Sequence, residues 1–224
     1  MAKKLAFFMV FPDVPASREA EWNEWCDKVH IPARQTVPGI YSAQRFIALE
    51  GERKYFHFFG LNDAGVLNSE YYFKLREKEL LKGDPSYGFM TMAATMLGTC
   101  SGVYEQIFPE EEVFQEPQSD TILVMGLDVP SDKEEEFNVW YNEEHIPRHL
   151  PVPGVIKATR FVSVKEELSP GCKATGPRYL TIYEVENEKV FLTPEYEKSK
   201  HSPWTSWMKR YYIPRFRSIF RRIH

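Results

Sequence analysis

Three cysteines in 224 residues, Cys26, Cys100 and Cys172, are too few and too scattered for a disulfide framework or a paired-cysteine metal site, so they read as reduced thiols of a cytoplasmic protein. The chain also lacks a Gly-rich phosphate loop, an HExxH pair and a nucleophile-elbow serine, which sets aside nucleotide-dependent and zinc chemistry. No apolar run reaches the length of a membrane span, so no membrane role is expected. Lys3-Lys4 followed by Leu5 to Phe11 resembles a signal peptide, but Pro12-Asp13 ends the run and no small-residue cleavage site follows. Charge of one sign is missing as well: 28 Lys and Arg against 32 Asp and Glu leave a net −4, which gives nucleic acid no footing. The basic end of the chain, Lys209 to Arg222, reads as an edge strand whose charges discourage aggregation.

What is present is core material. Apolar residues make up 43% and charged residues 27%, with 16 Phe, 12 Tyr and 5 Trp, which fits a folded globular chain. The length suits two units of about 100 residues each.

A repeat divides the chain in that way. His30 and His145, Trp25 and Trp140, and Arg45 and Arg160 are each separated by the same 115 positions (145 − 30). Asp13-Val14-Pro15 returns as Asp128-Val129-Pro130, His30-Ile31-Pro32 as His145-Ile146-Pro147, and Val37-Pro38-Gly39 as Val152-Pro153-Gly154. Agreement without a gap means tandem duplication, with units at 1–112 and 119–224 and the acidic, Pro-containing stretch 109–119 as linker.

Each copy reads as strand, helix, strand, strand, helix, strand. The first strands are the apolar runs near Phe7 and Ile122. The first helix buries Trp22, Trp25, Cys26 and Val29, or Phe137, Trp140 and Tyr141, at helical spacing, and is expected to stop before Pro32 or Pro147. Ser131 with Glu134 has the pattern of a capping box. Two hairpin strands follow, 40–49 with 54–61 and 155–164 with 178–185. A helical stretch (64–82, 188–209) and a last strand (99–108, 213–220) complete each unit. This is the split βαβ, ferredoxin-like order of an α+β protein. Because Tyr55-Phe56-His57-Phe58-Phe59 is apolar on both alternating faces, the sheet needs cover on both sides. Helices supply one, and the other copy's sheet, packed face to face as an intramolecular pseudo-dimer, supplies the other. Whether that pseudo-dimer associates into a homo-oligomer stays open.

The polar residues kept in both copies are the candidates for chemistry. His30 and His145 sit at the edge of the buried helical face, where two roles stand open: capping the helix C-terminus or general acid/base catalysis. Asp27 and Asn142, three residues earlier, are placed to orient the rings. Arg45 and Arg160 on the second strands suit either an ion pair with a helix glutamate or a clamp on a carboxylate or enolate oxygen. Tyr55 and Tyr179 match on the third strands, as do Phe59 and Tyr183, whereas His57 faces Thr181 and so belongs to one copy alone. Met90, Met92 and Met96, beside Tyr87 and Phe89, read as core filling or a pocket lid.

The segment Phe137 to Pro147, with Pro153-Gly154-Val155 and Arg160-Phe161, resembles the dimeric α+β barrel superfamily, particularly its EthD-like members; Trp25 to Pro32 is a weaker version. The resemblance implies ferredoxin-like units paired through their sheets, with a small hydrophobic or aromatic molecule bound between sheet and helices. It also implies a range of activities: cofactor-free cyclases, isomerases, lyases and monooxygenases, and some haem-binding relatives. Fold carries over better than function. The leading expectation is a cofactor-independent enzyme of cyclase, isomerase or lyase type, acting on a small hydrophobic or aromatic carbonyl compound by His-mediated proton transfer. His145 or His30 would be acid/base, Arg160 or Arg45 would stabilise negative charge, and Tyr55, His57, Tyr141, Tyr179, Tyr183, Trp25 and Trp140 would position the substrate, with no metal and no cofactor. The rivals are a non-catalytic binding or assembly protein and a haem-binding protein with a histidine as axial ligand. The second copy carries the fuller motif and is the favoured half.

Overall fold

The computed structural model describes residues 4–78, 99–169 and 172–224. The Met-rich stretch lies outside the described residues. Eight long strands form one closed antiparallel barrel: β1 (Ala6–Phe11), β2 (Ile40–Gly51), β3 (Tyr55–Leu61), β4 (Cys100–Phe108), β5 (Thr121–Asp128), β6 (Val155–Ser163), β9 (Tyr179–Val185) and β10 (Ile213–Arg222). A two-stranded ribbon, β7 (Glu167–Ser169) with β8 (Cys172–Lys173), rises from the long loop after β6.

Strand composition explains the closure. Every residue of β3 and of β9 is buried, so both faces of each strand must be covered. One set of alternating side chains, including Phe7, Phe11, Phe56, Phe58, Phe161 and Phe220, fills the barrel interior. The opposite set meets the helices outside. The neighbour order around the barrel is β1-β3-β2-β10-β5-β9-β6-β4, returning to β1. The sheets of the two halves face each other across this interior, Phe7 against Phe161 at 5.3 Å between ring centroids, without being separate layers. Their edges are hydrogen-bonded, β2 to β10 and β4 to β6, which leaves no open edge. The basic last strand is likewise no edge: β10 pairs with β2 on one side and β5 on the other. Its arginines instead meet carboxylates, Arg215 with Asp128 at 2.6 Å and Arg217 with Glu50 at 3.3 Å.

The connection between halves is a strap. Phe114 is 2% exposed and reaches the barrel interior, 5.4 Å from Phe7 and 5.2 Å from Phe161 between ring centroids. Gln106 holds the strap by donating to the carbonyl of Glu112 and accepting from the Phe114 N–H.

The first helix of each half does not end before its proline. Helix α1 (Glu19–Trp25) runs through a π-helical turn, Cys26–His30, into α2 (Ile31–Gln35). Likewise α4 (Glu134–Trp140) runs through Tyr141–His145 into α5 (Ile146–His149). The Ile31 N–H reaches back five residues to the Cys26 carbonyl, and Ile146 to Tyr141. Pro32 and Pro147 cannot donate to the residue four earlier and their rings need room, and a widened turn meets both demands without breaking the helix. His30 and His145 are therefore mid-helix residues. Nor does Ser131 form a capping box: Ser131–Lys133 is a 3-10 turn, and the residue preceding α4 is Lys133, with no side-chain cap bond. The later helical stretches are broken, as 66–68 with α3 (Glu70–Lys78), and as 188–192 with α6 (Pro194–Ser199) and α7 (Pro203–Met208). In the turns after α2 and α5, Gly39 and Gly154 have φ of +97° and +87°, and a Cβ there would lie 2.8 Å from Val66 and 2.5 Å from Val190.

Candidate functional site

Both halves carry one buried construction between the first helix and the sheet. In the N-terminal half Arg45, 1% exposed, donates to Asn23 Oδ1 at 2.6 Å and pairs with Asp27, while Asn23 Nδ2 donates to the Tyr55 hydroxyl at 2.9 Å. In the C-terminal half Arg160, 0% exposed, donates to Asn138 Oδ1 at 2.8 Å and to Asn142 Oδ1 at 2.5 Å, and Asn138 Nδ2 donates to the Tyr179 hydroxyl at 3.1 Å. Neither arginine meets the helix glutamate the sequence suggested. Asp27 and Asn142 hold these guanidiniums instead of orienting the histidines. Asn23 and Asn138 were legible only as matched residues of the repeat. The construction locks helix to sheet through charge-assisted bonds, and it uses up Arg45, Arg160, Tyr55 and Tyr179.

The halves differ one strand further on. Arg45 faces His57 across the β2–β3 pairing, and Arg160 faces Thr181 across β6–β9. Arg45 Nε donates to His57 Nε2 at 3.3 Å, whereas Arg160 Nε has no hydrogen-bond partner among the described residues. Burial accordingly lowers the Arg160 pKa to about 10, against a little help from surrounding tyrosines.

Beside His57 lies a cavity of about 230 Å³ between the outer face of the barrel and the helices. Trp22, Trp25, His30, His57, Phe59 and Tyr72 line it, with Arg34 and Arg76 contributing guanidiniums. The His30 ring stacks on Trp25 at 4.6 Å and the His57 ring on Trp22 at 5.2 Å, and the two imidazoles are 6.3 Å apart. Arg34 lies 5.3 Å over the Tyr72 ring. Burial, then the Arg34 charge, holds His30 well below the usual histidine range; burial, then Arg45, does the same to His57. Both rings are neutral at pH 7. Cys26 on the same helix is inert, its thiol pushed up to about 12 by burial. Of the residues singled out in the sequence, Trp25, His30 and His57 meet at this cavity. Trp22, Arg34 and Tyr72 were missed as site residues. So was Leu168, which the β7–β8 ribbon carries across from the C-terminal half.

The C-terminal counterparts pack into one another. Tyr141, Tyr183 and His149 stand where the N-terminal half has Cys26, Phe59 and Arg34, and all three are buried. His145 lies 4.6 Å from Trp140, 4.7 Å from Tyr141 and 4.4 Å from His149 between centroids. Trp140 donates to Thr205 of α7 at 3.3 Å, and His149 Nδ1 meets Ser199 Oγ at 2.6 Å. Burial pushes the Tyr141 and Tyr183 hydroxyls up, and takes His149 down to about 4. Among the described residues no cluster of three or more His, Cys, Asp or Glu could hold a metal ion, and no helix is long and apolar enough to cross a membrane.

An eight-stranded antiparallel barrel with helices outside it is the fold of the dimeric α+β barrel proteins, of chlorite dismutase-like and monooxygenase-like kind. An anthrone oxidase-like protein is similar with a TM-score of 0.67 at 9% identity, over 99% of this chain and 92% of that one. Chlorite dismutase from Candidatus Nitrospira defluvii is similar with a TM-score of 0.56 at 10% identity, over 100% and 92%. A protein from Fusobacterium nucleatum, provisionally assigned as a monooxygenase, gives 0.52 at 10% identity, over 100% and 94%. No family model matches the chain, and no curated protein does. The expectation of cofactor-independent cyclase, isomerase or lyase chemistry is corrected by these comparisons: the proteins that share the fold are named as an oxidase-like protein, a monooxygenase and a chlorite dismutase.

Proposed function

We propose that the protein binds a small aromatic compound in the N-terminal cavity and oxidises it with dioxygen. The observation that carries this reading is the cavity itself: an aromatic-walled space with two neutral imidazoles, in a fold shared with an anthrone oxidase-like protein. A void of about 150 Å³ accepts a benzene ring, so 230 Å³ suits a fused pair of rings. In the balanced reaction one ring methylene and one dioxygen give one ring carbonyl and one water. Both methylene C–H bonds and the O–O bond break; the carbon is oxidised, one oxygen atom stays on it, and the other leaves as water with the two hydrogens. Trp22, Trp25 and Phe59 sandwich the rings, and His30 and His57 meet the oxygen-bearing edge. Oxygen uptake with 1-tetralone, whose C4 is a benzylic ring methylene, as probe tests it. One dioxygen consumed per 1,4-diketone formed, with at least a tenfold loss in Trp25→Ala, is expected; no uptake above the buffer rate sinks the reading.

The haem alternative finds less support in the described residues. A tetrapyrrole belongs in the upper part of the 300–1,000 Å³ range of ligand pockets, well above 230 Å³. His57 Nε2 is engaged by Arg45, and His145 is enclosed by aromatic rings. Neither of these two histidines fits a haem as an axial ligand. A Soret band on adding haemin to the purified protein would reverse this conclusion.

We further infer that the barrel arose by tandem duplication of a ferredoxin-like βαββαβ unit, with units at 1–112 and 119–224, making it an intramolecular pseudo-dimer with EthD-like motifs. The support is the constant spacing of 115 positions (145 − 30), the matched Arg–Asn–Tyr constructions and the same π turn before each Ile-Pro.

A further inference from the structure

The two arginine constructions are nearly superimposable in chemistry, and His57 is the piece only one of them has. Arg160 folds against Asn138 and Asn142 with Thr181 as its cross-strand neighbour and no acceptor for Nε among the described residues. A histidine on the third strand is thus not a requirement of the fold. Where it does occur, it is fixed from two directions: Trp22 stacks on its ring at 5.2 Å with 18° between planes, and Arg45 Nε donates to its Nε2 at 3.3 Å. The ring lines the cavity, and its Nδ1 has no hydrogen-bond partner among the described residues.

We propose that His57 is a fixed hydrogen-bond donor, with Nε2 accepting from Arg45 and Nδ1–H turned to the cavity to receive a carbonyl or phenolate oxygen of the aromatic ligand. The tautomer follows from valence: a neutral imidazole has one N–H, and a guanidinium N–H, which only donates, leaves Nε2 as the acceptor. Burial and the neighbouring guanidinium keep the ring neutral, so the donor persists through the physiological range. Arg45 is then a positioning residue, and Asn23 and Asp27 hold it in place. A buried donor aimed into an apolar space discriminates by what it is left without: a ligand lacking the oxygen strands the N–H, at a cost that an apolar wall does not impose. This deepens the oxidation reading by naming its substrate class as oxygen-bearing bicyclic aromatics.

The test compares 1-tetralone with tetralin, bicyclic compounds of nearly equal shape that differ by one carbonyl oxygen, by titration of the whole protein. The protein should bind the ketone at least tenfold tighter. The preference, read as the ratio of the two affinities, should vanish in His57→Phe. Nitrogen-15 spectra of the unsubstituted protein at pH 7 should show His57 protonated on Nδ1 and bare on Nε2, and that measurement decides the tautomer even where His57→Phe does not fold. Equal affinity for the two compounds, no ketone binding, a preference that survives His57→Phe, or an Nε2–H tautomer each overturns the proposal. Ketone preference without oxygen uptake refutes the oxidation and leaves this donor standing; uptake without ketone preference does the reverse.

Discussion

The N-terminal half leaves space beneath its first helix where the C-terminal half fills it. Trp25 is 9% exposed at a cavity wall, while Trp140 is 1% exposed, bonded to Thr205 and stacked on Tyr212 at 5.9 Å. Tyr141 and Tyr183 add bulk where the other half has Cys26 and Phe59. The lesson is that matching backbone elements leave a cavity in one half and a filled core in the other through a few side-chain volumes. The residues of the fuller C-terminal motif are the better integrated into the core.

Truncating the paired tryptophans should break this comparison most visibly. Trp140→Ala removes a fully packed side chain and its hydrogen bond, and should cost about 4 kcal/mol, within the range for Trp truncation in cores. Trp25→Ala enlarges a space that already exists and should cost about 2 kcal/mol. Urea unfolding monitored by far-UV circular dichroism measures both. Equal losses would mean that the two helices are packed alike and that the cavity is not a real difference between halves.

The arginines come next. Arg45→Met leaves His57 Nε2 and Asn23 Oδ1 without their donor and the exposed Asp27 without its pair, at about 2 kcal/mol for the two acceptors left unmatched. Arg160→Met removes a buried charge that has no carboxylate partner among its hydrogen bonds and whose Nε is unsatisfied, so its cost should be about 1 kcal/mol. The same unfolding curves decide it. A larger loss at Arg160 would show that the neutral asparagines are the stronger clamp.

Much of this architecture was legible in the sequence because matching residues recur at a constant spacing of 115 positions (145 − 30). The element order, the buried face with Trp22 and Trp140, the Val-Pro-Gly turns and the doubly buried third strands all follow from composition and spacing. Which strand edges close the barrel was not legible, because that pairing is settled by register over residues far apart, such as Phe46 with Arg222. The continuation of helices past Pro32 and Pro147 was missed because a proline stops a helix only if the preceding turn cannot widen. Of the site, the difference between His57 and Thr181 was visible, but its meaning depended on Arg45 lying opposite. Leu168 had no sequence signal at all: it comes from a ribbon in the copy that does not hold the cavity.

The smallest expected difference between the halves is in the pH dependence of their histidines. His30, His57, His145 and His149 all have folded pKa values depressed chiefly by burial, while in the unfolded chain each titrates at about 6.5. Below that pH the unfolded state takes up protons that the folded state refuses, so stability falls as the solution is acidified and is regained as pH rises to about 7. Each histidine can add a slope of up to about 1.4 kcal/mol per pH unit, and for His149 the slope ends near its folded value of about 4. Comparing unfolding midpoints at pH 7 and pH 5.5 for His149→Asn and His57→Asn sharpens the contrast between halves. Removing His149, sealed against Ser199 and Tyr196, should flatten the pH slope by nearly the full single-histidine amount. Removing His57, whose ring borders a cavity that a water molecule can enter, should flatten it by less. The opposite order would mean that the N-terminal cavity is the drier of the two environments.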